Sequence, residues 1–161
     1  MILLLGLGNV LLSDEGLGVR VIEELGRDYE FPEEVNIIDG GTGAFFLLPY
    51  LEQAVKVLVI DAVKMGKSPG SIYELTFEEC LLLSKEKLSL HEISFSDLLF
   101  LLRLRGKTFD DFVLLGVEPA NIEPGDTLSE EVKMALPKVI ERIFCKLKAW
   151  GVNIRSRKLI H

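Results

Sequence analysis

The stretch Leu3-Leu4-Leu5-Gly6-Leu7-Gly8-Asn9-Val10-Leu11-Leu12-Ser13-Asp14-Glu15-Gly16-Leu17-Gly18 decides the fold. It opens as a continuous apolar run, the pattern of a strand buried on both faces of a sheet. Two glycines and an asparagine then permit a tight exit, because they tolerate positive φ. Ser13 and Asp14 are good N-cap types, and Glu15 falls in the first turn of a helix running to about Leu25. An acidic side chain is thus set at the carboxyl edge of a central strand, where open α/β sheets hold their sites. Capping of a helix N-terminus accounts well for Asp14 and less well for Glu15.

Outward from that stretch, strands alternate with helices. Val21, Ile22 and Leu25 share one helical face, with Gly26 as the expected stop. Val35-Asn36-Ile37-Ile38 reads as a short buried strand ending at Asp39-Gly40-Gly41-Thr42-Gly43. Ala44 to Glu52 reads as a helix with Pro49 as its weak point. Lys56-Val57-Leu58-Val59-Ile60 is the clearest strand and ends on Asp61. Ser71 to Thr76 alternates like a half-exposed edge strand. Helices are expected over Phe77–Leu83 and Phe95–Leu104, a last strand over Asp111–Val117, and a long helix from Ser129 to about Trp150, bent at Pro137. This pattern predicts a three-layer α/β/α sandwich with a twisted, mostly parallel sheet and one antiparallel edge strand, in one domain spanning 1–161.

Composition narrows the function classes. With 161 residues, 48% of them hydrophobic, the chain can bury a sizeable core without staples. A net charge of −7 argues against general nucleic-acid binding. The basic Arg155, Arg157 and Lys158 read as a solvated end. Cys80 and Cys145 form no C-x-x-C pair and are expected as small core packers. No apolar run reaches the roughly 20 residues that span a bilayer, and the start lacks a basic leader and cleavage site, so a cytoplasmic location is expected.

Two motifs are decoys. Gly6-Leu7-Gly8-Asn9-Val10-Leu11 begins like a dinucleotide fingerprint, yet Leu11 occupies the third glycine position, and Asp14 and Glu15 would repel a pyrophosphate. Gly66-Lys67-Ser68 ends like a phosphate-binding loop, but Asp61 replaces its first glycine and a strand pattern follows where a helix is required.

Three strand ends carry acids: Glu15, Asp39 and Asp61. On parallel strands all three project from one sheet edge. Two carboxylates about 4 Å apart repel by roughly 4 kcal/mol at an effective dielectric near 20. Such a cluster holds a proton, pairs with a cation or binds a metal. His161 is the last residue, so internal histidine chemistry falls on His91. Glu, Asp and one His with an open position suit zinc, nickel or manganese. The alternatives stand beside this: His91 as a polar loop or cap residue, and Asp39 and Asp61 as turn residues bonded to backbone. A serine-hydrolase elbow, G-x-S-x-G, is absent, and nothing around Cys80 or Cys145 would activate a thiol.

These same residues carry a resemblance. Gly6-Leu7-Gly8-Asn9 with Asp14-Glu15-Gly16 and Gly18-Val19, Asp39-Gly40-Gly41-Thr42, Val59-Ile60-Asp61-Ala62, Pro69-Gly70 and Ser89-Leu90-His91 resemble the maturation endopeptidases of nickel-iron hydrogenases. Leu115-Gly116-Val117-Glu118-Pro119 and Ile122-Glu123-Pro124 extend the likeness, which runs from about Ile2 to about Gly151. The resemblance implies a cytoplasmic hydrolase, an aspartic-type or metal-dependent endopeptidase. It would remove a short C-terminal extension from the precursor of the hydrogenase large subunit after nickel insertion. Glu15, Asp61 and His91 match the family's metal-binding residues, and Asp39 matches a position implicated in activity. Nickel would arrive on the substrate, with zinc or cadmium able to stand in for it. The implied catalytic set is therefore Asp39, Glu15 and Asp61, with no nucleic-acid or membrane partner. A non-catalytic metal- or precursor-binding chaperone on the same fold is the second reading. Partner specificity is expected in the loops Thr42–Phe46 and Glu118–Asp126.

Overall fold

The computed structural model describes residues 1–42, 45–83 and 94–159. Its first strand, β1 (Ile2–Leu7), is buried along its whole length, as the apolar run requires. A 3₁₀ turn over Ser13–Gly16 leads into α1 (Leu17–Asp28). There follow β2 (Tyr29–Glu30), β3 (Val35–Gly41), α2 (Leu48–Gln53), β4 (Lys56–Ala62), β5 (Ile72–Thr76) and α3 (Phe77–Leu82). The chain then runs through α4 (Phe95–Leu104), β6 (Asp111–Val117), α5 (Glu130–Ala149) and β7 (Arg155–Ser156).

The main sheet has five strands in the order β3-β1-β4-β6-β5. β1 pairs in parallel with both β3 and β4, and β4 with β6, while β5 runs antiparallel at the edge. Side chains alternating along each strand feed two cores. Ile2 and Leu4 of β1, Leu58 and Ile60 of β4, and Val113, Leu115 and Val117 of β6 pack against Leu17, Val21 and Leu25 of α1 and Val132, Val139 and Ile143 of α5. Leu3, Leu5, Val57, Val59, Phe112 and Leu114 face the other way, onto Leu51 of α2, Cys80 of α3 and Leu98, Leu99 and Leu102 of α4. The result is the expected three-layer α/β/α sandwich with a mostly parallel sheet.

Local chemistry explains several element ends. Thr76 and Glu79 form a reciprocal capping box at α3, and Ser94 and Asp97 form one at α4. Four local expectations are corrected. Gly26 does not stop α1, which continues to Asp28. The Ala44–Glu52 helix is shorter at its start: Phe45–Leu47 form a 3₁₀ turn and α2 begins at Leu48, with Pro49 in the first turn, where a missing N–H costs nothing. The basic tail is docked: β7 pairs antiparallel with β2, Arg157 Nε donates to Tyr29 O at 3.2 Å, and Lys158 lies 3.8 Å from Asp28. Cys80 is buried as expected, but Cys145 is exposed, on the outer side of α5.

Candidate functional site

The site grows from the exit of β1. Gly8 turns there with φ 128°, its N–H donating to Gly41 O at 2.9 Å. A Cβ on Gly8 would lie 1.8 Å from the backbone oxygen of Glu15, so a residue with a side chain cannot occupy this position while the turn closes. Asn9 Oδ1 accepts from Leu11 N at 2.9 Å, and Leu12 N and Glu15 N donate to Asn9 O and Leu12 O, each at 3.1 Å. Ser13 takes φ 53°, the one positive φ outside glycine among the described residues. This folded-back turn places Glu15 against the end of β4, where Asp61 stands next to its partner strand β1.

Glu15 and Asp61 share one electrostatic environment. Burial pushes the Asp61 carboxyl up to about 7, against a 2.8 Å bond from Ala62 N, and the Glu15 charge pushes it the same way. Burial also raises Glu15, with the Lys64 cation opposing it. Two acids held at the carboxyl edge of central strands, both resisting ionisation, form a site that favours a bound cation or a shared proton.

Asp39 is not brought to that pair. It lies exposed on β3, with β1 between it and β4, so two strand spacings of roughly 10 Å in all separate the strands that carry Asp39 and Asp61. Its Oδ1 accepts from Gly41 N at 2.9 Å, the side-chain-to-backbone turn that was one of its two sequence readings. The expectation of one three-acid cluster is corrected to a pair plus a neighbour along the edge. Among the described residues no group of three His, Cys, Asp or Glu side chains is gathered at metal-binding range. His91 lies outside the described residues. Beside Asp61, a small apolar cleft is lined by Val63, Cys80, Leu83, Phe95, Leu99 and Leu114.

Two residues do work that sequence reasoning missed. Asp14 does not cap its own helix, since neither the 3₁₀ turn nor α1 has a side-chain cap. Instead it is fully buried and accepts from Ala120 N (2.8 Å), Asn121 N (3.0 Å), Ser129 N (2.7 Å) and Ser129 Oγ (2.8 Å). Burial works to raise its pKa, but these bonds outweigh burial and hold it below the usual carboxylate value. Glu118, buried after β6, gathers the loop that follows Asp61: its Oε1 accepts from Met65 N at 2.8 Å, Lys67 N at 3.1 Å and the Tyr73 hydroxyl. The only sequence signal for Glu118 was its place in the Glu118-Pro119 element of the resemblance.

Comparison with known proteins finds relatives over nearly the whole chain. A family model described as hydrogenase maturation protease matches residues 19–146. The hydrogenase 2 maturation protease of Escherichia coli is 35% identical over 161 residues, covering 99% of this chain and 98% of that protein. The hydrogenase expression/formation protein HoxM of Azotobacter vinelandii is 38% identical over 158 residues, 97% of this chain and 76% of its own. Among solved structures, the hydrogenase maturating endopeptidase HybD from E. coli superposes with a TM-score of 0.90 at 34% identity, covering 98% of both chains.

Proposed function

The chain belongs to the hydrogenase maturation protease family and is a peptidase, and we propose that it is the endopeptidase that trims the C-terminal extension from the nickel-loaded precursor of a nickel-iron hydrogenase large subunit. The observation that supports this most is the coupled pair Glu15 and Asp61 on the carboxyl edge of the sheet: burial raises both carboxyls, Asp61 to about 7, and the Glu15 charge adds to the rise at Asp61. Groups of that kind gain most when a cation arrives between them. In this reading the cation is nickel seated in the substrate. Glu15, Asp61 and His91 complete its coordination, so docking is strong only when the precursor carries its metal.

Docking sets the scissile bond beside this edge. Hydrolysis then uses a carbonyl or water polarised at the metal, while the exposed Asp39 acts as general base or positioning group. No described helix is long and apolar enough to cross a membrane, which is compatible with the cytoplasmic location we assign. The test is cleavage of the nickel-loaded precursor by wild type, Glu15→Gln and Asp61→Asn, followed by gel shift and intact mass. Wild type is expected to shorten the precursor, and each variant to lose at least about 100-fold in rate, the scale of a lost charge-stabilising contact. Stable complex formation without shortening by wild type would make the chain a chaperone instead.

A further inference from the structure

Glu15 owes its position to backbone, and that backbone is fastened to a loop more than a hundred residues away. Just before Glu15, Ser13 N donates to Gly125 O at 2.9 Å, Ser13 Oγ to Glu123 O at 2.8 Å, and Asp14 N to Asn121 O at 2.9 Å. Gly125 N returns a bond to Leu11 O at 2.9 Å. Arg20 of α1 spans both segments, its guanidinium donating to Asp126 O and, at 3.5 Å, to Val10 O. At the centre lies the Asp14 carboxylate, wholly buried, which satisfies three backbone N–H groups and the hydroxyl of Ser129, the N-cap of α5.

We infer that Asp14 is a positioning residue for the metal-facing Glu15, locking the β1–α1 turn and the 118–129 loop into one rigid block. The inference rests on the reading of Glu15 as a ligand of nickel. It also assigns the 118–126 loop a role other than partner choice: a segment held by this many bonds from the site turn is scaffold. The strained φ of Ser13 fits, because a sparsely populated backbone state persists only where its surroundings over-determine it. An Asn at position 14 keeps the shape but turns an amide donor toward donors on Ala120, Asn121 or Ser129, so one face of the lock opens.

The experiment uses the full chain, with Ni²⁺ alone as calorimetric probe and nickel-loaded precursor for kinetics, at a temperature where circular dichroism shows each variant folded. Asp14→Asn is expected to weaken Ni²⁺ binding at least about tenfold and to raise KM for the nickel-loaded precursor, with a smaller fall in kcat. Ser129→Ala is expected to shift Ni²⁺ binding in the same direction by less, and Ser129→Thr, which keeps the hydroxyl, to restore it; this pair carries the test if Asp14→Asn does not fold. Variants that melt earlier yet bind Ni²⁺ and turn over like wild type would make Asp14 structural only and overturn the inference. Glu15→Gln in the same titration separates the two levels. If it binds Ni²⁺ as wild type does, the ligand reading fails, and the positioning role fails with it.

Discussion

Replacing Glu118 with Gln isolates the charge from the shape of a buried group. The Glu118 side chain is 5% exposed, and one oxygen takes bonds from Met65 N, Lys67 N and the Tyr73 hydroxyl, while its backbone exchanges 2.8 Å bonds with Ser71 O and Gly70 N. Gln is isosteric, and its amide oxygen can accept the same three donors without a charge. Charge-assisted bonds are roughly twice as strong as neutral ones, which are worth about 1 kcal/mol net, so three of them lose about 3 kcal/mol. Burying a neutral group in place of an ion returns about 1 kcal/mol, leaving a loss of about 2 kcal/mol, or about 6 °C in Tm for a chain of this size. Burial alone would raise the Glu118 pKa, but the bonds from Tyr73, Met65 and Lys67 hold it below the ordinary glutamate value. A depressed carboxyl supplies its stability above the unfolded value of about 4.3 and loses it as pH falls through the folded one. Urea denaturation should therefore show the gap between wild type and Glu118→Gln in full at pH 7 and largely closed at pH 3. Equal stability at pH 7, or a gap undiminished at pH 3, would refute the charge-assisted account.

The remaining predictions test other parts of the structure. In the metal-free protein Asp61→Asn should stabilise at pH 8: an acid raised to about 7 gives its full contribution below the unfolded value and loses it as pH rises through 7. The full shift corresponds to about 4 kcal/mol, and the remaining water contact of Asp61 brings the expected gain to about 2 kcal/mol; a variant no more stable than wild type at pH 8 would contradict this. Gly18→Ala should cost at least about 3 kcal/mol, against the usual helical preference for Ala, because the new Cβ would meet Ile60 O at 2.2 Å and Leu7 O at 2.4 Å; a wild-type melting curve would show that α1 can lift off the sheet at no cost. Thiol labelling of native protein at pH 8 should modify Cys145 quickly and Cys80 only after unfolding, since burial pushes the Cys80 thiol to about 12. Rapid labelling of two thiols would place Cys80 outside the core.

The sheet was legible because each parallel strand is a short apolar run between turn residues, and a strand buried on both faces leaves few other readings for Leu3–Leu7 or Val57–Ile60. The edge strand β5 was legible for the opposite reason: its alternation matches one buried and one open face. Half of the site was legible too, as acids at the ends of those strands. What escaped the sequence depends on distant partners. Asp14 carries the signature of a cap, and only the fold reveals that its acceptors serve Ala120, Asn121 and Ser129. Glu118 bonds to residues 45 to 53 positions away, which no local pattern encodes. The tail looked solvated because its strand partner, β2, is two residues long and lies near the other end of the chain. Asp39 was grouped with Glu15 and Asp61 because strand ends share an edge, whereas strand order, which sets the distance along that edge, is not written in periodicity.

The most direct test of the central claim is the intact mass of the hydrogenase large subunit after incubation of its precursor with this protein, with nickel in place and with nickel omitted. The account predicts loss of the C-terminal extension from the nickel-loaded precursor alone. Equal shortening of both forms, or of neither, would contradict it.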